Sequence, residues 1–172
     1  MYRIVSKKPS DCSSSELEQF VKLVMAGGEV ASGLPARVQK AVSLVMLFKD
    51  EELVGTAGLK RPETDYHNKV FREARTDKPP AEFPFELGWV YIAPDHRGGK
   101  RATPLIEAAM DSSEGVLAFA TARENNEAMH HFLKNAGFVL SGVPYASRQN
   151  AGPKIVLFVQ DAPDGKVAGQ AV

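Results

Sequence analysis

Residues 86 to 108 read Glu86-Leu-Gly-Trp-Val-Tyr-Ile-Ala-Pro-Asp-His-Arg-Gly-Gly-Lys-Arg-Ala-Thr-Pro-Leu-Ile-Glu-Ala108, and the fold turns on this stretch. Its first part is apolar on both faces apart from Glu86, the pattern of a strand buried in the middle of a sheet. Pro94 follows, and then a loop dense in glycine and cations. Thr103 to Met110 reads as a helix. The first turn of such a helix presents unsatisfied N–H groups and the positive end of its dipole. Gly98 and Gly99 let the backbone approach a ligand closely, while Arg97, Lys100 and Arg101 add charge. Strand, basic glycine turn and helix together suit a phosphate or diphosphate. The Gly-x-Gly-x-x-Gly of a dinucleotide site and the Gly-Lys-Ser/Thr of a P-loop are both absent from the stretch. Taken alone, a basic turn that merely caps a helix fits it equally well.

On the N-terminal side, Tyr2 to Val5 reads as a short strand and Ser13-Ser-Ser-Glu16 as a helix start. Leu17, Phe20, Val21 and Val24 recur at helical spacing until Gly27-Gly28 stops them. A short helix is expected from Pro35 to Lys40, because proline is tolerated in a first helical turn. Val42 to Phe48 and Glu52 to Leu59 form a hairpin about Lys49-Asp50-Glu51. The charged stretch Arg61 to Glu82 has weak periodicity and reads as irregular, with one helical turn near Lys69 to Arg75. On the C-terminal side, Val116 to Ala120 reads as a strand. Asn126 to Ala136 reads as a helix capped by Asn125 or Asn126 and closed by Gly137. Two strands, Phe138 to Val143 and Lys154 to Gln160, complete the pattern. The predicted fold is α/β (α+β in some schemes), with a mixed, mostly antiparallel sheet of about six or seven strands flanked by about four helices. Residues 1–160 are expected to form a single domain, and 161–172 a tail with little to bury that frays.

Bulk properties narrow the function classes. At 44% hydrophobic and 24% charged residues the chain has the composition of a globular protein. Its 21 basic residues balance 21 acidic ones, so no net field gathers nucleic acid or an anionic membrane. The longest apolar run, Ala41 to Phe48, falls far short of the roughly 20 residues that cross a bilayer. The single cysteine, Cys12, fits a reducing compartment, so a soluble cytoplasmic protein is expected. The histidines and the cysteine lack ligand spacing, and no metal is expected.

The stretch from Pro94 resembles the cofactor motif of the GNAT superfamily of acyl-CoA N-acyltransferases, in which a strand and a proline precede Arg/Gln-x-x-Gly-x-Gly/Ala and a helix. Arg97 takes the first position and Ala102 the last. Asn126, Ala128 and Met129, followed by Asn135-Ala-Gly-Phe138, are similar to the family's Asn-led helix that ends in a Gly-Phe turn. The resemblance implies a GNAT-like fold and transfer of an acetyl or related acyl group from acetyl-CoA to an amine acceptor, by direct attack in a ternary complex. It assigns the backbone of Val90, Tyr91 and Ile92 to the cofactor's pantetheine arm, with the Ile92 N–H polarising the thioester carbonyl. It assigns Arg97, Gly98, Gly99, Lys100, Arg101, Ala102 and Thr103 to the diphosphate, and the Asn126 side chain to a further cofactor hydrogen bond. A plain helix cap is the other reading of Asn126.

Three positions depart from the family pattern. Lys100 stands where the motif has its first glycine, and a left-handed backbone there costs about 1 kcal/mol or more unless Gly98-Gly99 absorb the bend. Pro104 removes one amide from the first helical turn, at little cost. Leu133 occupies the place of the tyrosine that usually protonates the departing thiolate, leaving Tyr145, His130 or water to serve. Glu86 is the candidate general base, acting through a water; the other reading is a Glu salt-bridged to Arg72 or Arg75. Alternation puts Glu86 on the same side of its strand as Gly88, Val90 and Ile92, and puts Phe85, Trp89 and Tyr91 on the other, as core. The acceptor is an unidentified amine, on a small molecule or a protein, met by the segments Ala26 to Pro35 and Arg61 to Glu82. A homodimer is compatible with this reading. A weakly active or inactive GNAT-like module that binds CoA is the alternative, favoured by Leu133 and Lys100.

Overall fold

A computed structural model describes residues 1–28, 32–147 and 152–161. In chain order its elements are β1 (Tyr2–Lys7), α1 (Ser14–Ala26), α2 (Leu34–Gln39), β2 (Ser43–Lys49), β3 (Glu52–Lys60), α3 (Thr64–Glu73) and β4 (Phe85–Ile92). They continue with α4 (Ala102–Asp111), β5 (Ala118–Arg123), α5 (Glu127–Asn135), β6 (Phe138–Tyr145) and β7 (Ile155–Gln160). The strands form a seven-stranded sheet in the order β1-β2-β3-β4-β5-β7-β6. β4 runs parallel to β5. The β1–β2, β2–β3, β5–β7 and β6–β7 ladders are antiparallel. The mixed, mostly antiparallel sheet is thus as expected. The tail beyond residue 161 lies outside the described residues.

The chain makes two compact units, Met1–Arg61 with Leu87–Glu114, and Pro62–Glu86 with Gly115–Val172. In the first, α1 begins in a capping box: the Ser13 hydroxyl accepts from the Glu16 amide, and the Glu16 carboxylate accepts from the Ser13 amide. Its Phe20 and Val24 pack with Leu34 and Val38 of α2, with Leu44 and Met46 of β2, and with Trp89. The Phe20 and Trp89 rings meet edge to face, 5.9 Å between centroids.

Trp89 is the irregular residue of β4. Its φ is +53°, left-handed backbone inside a strand. The regular alternation read from the sequence therefore breaks at this residue. A Cβ on Gly88 would sit 2.7 Å from the Lys60 side chain, and the Trp89 ring also lies under the Lys60 ammonium, at 5.0 Å. Two successive residues thus face the same neighbour. Beyond the bend, Ile92 stands beside Gly55, an odd position of β3, whereas Trp89 stands against the even Gly58. Val90 and Ile92 consequently point to the side opposite Gly88, whereas the sequence put the three on one side.

In the second unit, Val70 and Phe71 of α3 pack with Phe83, with Leu117 and Phe119, and with Leu157 and Val159 of β7. The helix α3 lies where an irregular excursion with a single turn was expected. Its buried stripe is His67, Val70, Phe71 and Ala74, spaced 3, 1 and 3, with a histidine ring filling one apolar position. Only three of those four residues are apolar, so the period is faint in the sequence.

Replacing Gly58 by alanine should cost about 1–3 kcal/mol, because the new Cβ would lie 2.7 Å from the Trp89 ring that holds the β4 bend. Urea unfolding monitored by Trp fluorescence reads this directly. An unchanged midpoint contradicts the packing described.

Candidate functional site

The basic turn begins with a 3₁₀ turn, Pro94–His96, and Arg97 then returns to extended backbone. Gly98, Gly99 and Lys100 follow with φ of +89°, +60° and +57°. Two glycines take this conformation freely, but Lys100 does not share their freedom. The bend is therefore not absorbed by Gly98-Gly99. Its third residue carries strain of about 1 kcal/mol. A Cβ built on Gly98 would meet nothing within 4 Å, so the backbone there is open to approach.

Arg101 is the N-cap of α4, and no side chain caps this helix. In α5, by contrast, the Asn126 Oδ1 accepts from the Met129 amide at 3.1 Å, so the helix-cap reading of Asn126 describes its oxygen. With Pro104 lacking an N–H, Ala102 and Thr103 supply the free amides of α4's opening turn. The guanidinium groups of the turn are engaged. Arg97 Nε donates to the Ile92 carbonyl at 2.8 Å, and its guanidinium lies 5.4 Å above the Tyr91 ring. One Arg101 nitrogen donates to the carbonyls of Gly98 at 3.0 Å and His96 at 3.3 Å. Along β4, the Ala93 N–H donates to Val54 of β3. Since successive residues of a strand turn their backbone groups to opposite edges, the Ile92 N–H points away from β3. The first unit thus presents a left-handed turn whose carbonyls are held by Arg101, and a strand end whose Ile92 N–H points away from β3.

The second unit holds a polar cluster around Glu86, which is 3% exposed. The Tyr66 hydroxyl donates to Glu86 Oε2 at 2.9 Å. Although 41% of Tyr66 is open, its hydroxyl end is turned inward, and Thr121 also hydrogen-bonds it. Burial, then the Glu86 carboxylate, hold the Tyr66 hydroxyl far above the ordinary phenol range. Tyr145 is pushed up as well, by burial and by the carboxylates of Glu86 and Glu73. The two residues singled out for catalysis, Glu86 and Tyr145, thus lie near enough for the carboxylate to raise the phenol.

His67, one residue from Tyr66, stacks on Phe119 at 4.8 Å between centroids. Its Nε2 is buried without a hydrogen-bond partner, and the ring hydrogen-bonds the Phe83 backbone. Desolvation lowers its pKa below 6.5, against the opposing pull of Glu86 and Phe83. Tyr66 and His67 escaped the sequence reading because they lie in the segment taken as irregular; the spacing 67, 70, 71, 74 was the available signal. Leu133 is 1% exposed and belongs to the core. His130 Nε2 lies 2.9 Å from the Arg123 carbonyl, its ring edge-on to Phe158. Among the described residues no group of three or more His, Cys, Asp or Glu could hold a metal ion, and no helix is long and apolar enough to cross a membrane.

A family model described as the acetyltransferase (GNAT) family matches residues 16–138. Among solved structures, an acyl-CoA N-acyltransferase from Pseudomonas aeruginosa is 15% identical with a TM-score of 0.63, covering 94% of this chain and 100% of that one. Escherichia coli ElaA is 16% identical with a TM-score of 0.67, again over 94% and 100% of the two chains. A GNAT-family acetyltransferase from Streptococcus pneumoniae is 14% identical with a TM-score of 0.63, over 93% and 99%. At these identities the likeness establishes the fold. No curated protein matches the chain significantly.

Lys100→Gly should stabilise the protein by about 1 kcal/mol, because it removes a Cβ from a left-handed residue; thermal melting tests this, and a fall in Tm contradicts it. His67 gives a pH signature. Below about 6.5 the unfolded chain takes up a proton that the folded chain resists, so stability falls as the pH drops toward the lowered folded value. His67→Phe should lose less stability than the parent between about pH 7.5 and 5.5, as read from urea midpoints. Equal losses in the two proteins contradict the buried, neutral imidazole.

Proposed function

The chain belongs to the acetyltransferase (GNAT) family, and from that premise we propose that it is an N-acetyltransferase that moves an acetyl group from acetyl-CoA to a primary amine. The observation that carries this reading is the turn Gly98–Lys100, three left-handed residues leading into a ten-residue helix that no side chain caps. Such a turn aims several N–H groups at one point and suits an anion of diphosphate size. The amides of Gly98 to Thr103, the Lys100 ammonium and the Thr103 hydroxyl would hold the diphosphate. The engaged side chains of Arg97 and Arg101 fix the shape of the turn and add charge. The backbone of Val90, Tyr91 and Ile92 would line the pantetheine arm, and the Asn126 Nδ2 would give a further hydrogen bond. When bound, acetyl-CoA supplies an activated acyl carbon on a thiol leaving group.

Each protein group has a step that suits it. Glu86, held by Tyr66, takes a proton from the acceptor ammonium through a water, freeing the nitrogen lone pair. The amine nitrogen forms its bond to the acyl carbon while the Ile92 N–H stabilises the oxygen. As the carbon–sulfur bond breaks, a proton from the Tyr145 hydroxyl goes to the sulfur, and the second proton leaving the amine nitrogen restores that hydroxyl through water. The products are an amide and free CoA. Direct attack is favoured over a covalent enzyme intermediate because Cys12 lies in neither the turn nor the Glu86 cluster.

A second reading, a CoA-binding module without turnover, is supported by one observation: Leu133 fills the usual proton donor's position with core packing. An amine panel monitored for free thiol separates the two. Turnover with at least one amine is expected. Glu86→Gln should then lower kcat about 100-fold or more with CoA affinity unchanged, whereas Arg97→Ala should weaken CoA binding. A calorimetric CoA signal with no thiol release across the panel would select the module. No signal at all would remove the CoA reading itself.

A further inference from the structure

The N-terminal strand reaches the basic turn through one aromatic ring. Tyr2 is paired with Lys49 in the β1–β2 ladder, which fixes its backbone. Its hydroxyl is 3.1 Å from His96 Nδ1, and the two rings meet edge to face at 6.0 Å. The Arg101 guanidinium lies 4.0 Å over the Tyr2 ring, and the Lys49 ammonium is 5.2 Å from the same ring. From that stack, Arg101 reaches the carbonyls of His96 and Gly98. It also runs so close over Gly99 that a Cβ there would lie 2.8 Å from it.

These contacts bear on a conformation that local preference does not secure. Three successive left-handed residues, the last of them a lysine, have no proline and no side-chain cap to hold them. Arg101 ties the carbonyl side of the turn, and a turn tied by its carbonyls leaves its amides facing the other way. A guanidinium with five donors on a long, flexible stem needs its own support, and a flat aromatic face is a surface on which it stacks well. Gly99 is then glycine for a second reason besides its φ, because any side chain would displace the guanidinium.

We propose that Tyr2 and Arg101 form a brace that keeps the Gly98–Lys100 turn in its amide-presenting shape, making Tyr2 a positioning residue for the diphosphate of acyl-CoA. The ligand part rests on the function proposed above; the brace itself does not. Hydrogen exchange by mass spectrometry on the full chain, without ligand, tests the brace. Tyr2→Leu and Arg101→Met should each speed exchange of the amides from 98 to 103 about two- to five-fold, the shift expected on losing one cation–π contact. The double variant should add little beyond Arg101→Met, because Tyr2 acts on the turn through Arg101. Tyr2→Phe keeps the ring and should stay closer to the parent. The Tm of each variant should stay within a few degrees of the parent. CoA titration by calorimetry then reads the positioning role, with Kd rising in the same order as the exchange rates. Unchanged exchange at 98–103, or fully additive effects, would overturn the brace. Faster exchange with unaltered CoA affinity would overturn positioning alone. A parent protein that gives no CoA signal would sink the functional proposal while leaving the exchange result to judge the brace.

Discussion

A single backbone angle organises the middle of this protein: the left-handed φ of Trp89 inside β4. A tryptophan does not adopt that angle by preference, and in a strand it costs on the order of 1–3 kcal/mol. Packing holds it there. The ring is seated against Phe20 and over Gly58, and the Thr56 hydroxyl donates to the Trp89 carbonyl at 2.7 Å. The consequence is directional. On one side of the bend Gly88 faces Lys60; on the other, Ile92 takes the opposite face, beside Gly55. The β4–β5 ladder comprises Phe85–Ala118 and Glu86–Phe119, so it involves only the part of β4 before the bend.

Strained backbone held by its neighbours recurs at Lys100. There the restraint is polar. Arg97 and Arg101 spend their guanidinium groups on backbone carbonyls and aromatic rings. In this structure the two guanidinium groups hold backbone carbonyls of the turn and of the end of β4. Around Glu86 the frame is a hydroxyl. The Tyr66 hydrogen bond fixes one carboxylate oxygen of a residue that is itself buried.

Much of this was legible in the chain itself. The strand, the glycine-rich basic turn and the helix from 86 to 111 follow from local composition and period, as do α1 with its Ser13–Glu16 capping box and the β2–β3 hairpin. These features depend on residues close in sequence, whose propensities and caps act locally. The faces of β4 were misread because alternation assumes an unbroken pleat, and no local rule places a tryptophan at positive φ. α3 was read short because His67 stands in its apolar stripe. The helix gains its burial from Phe83, Phe119 and Leu157, far away along the chain.

The sequence by itself determined that this chain builds a mixed α/β sheet of the GNAT type, and that one turn in it is suited to an anion. The mixed sheet and the turn follow from short-range patterns of hydrophobicity, glycine and charge, and the GNAT type from the likeness of the two motifs. Tertiary structure alone decided that Tyr66 meets Glu86 and that Arg101 rests on Tyr2. The physical reason is that each of these contacts joins residues from separate elements, and a side chain's partner depends on packing and register across the sheet, which no window of sequence contains.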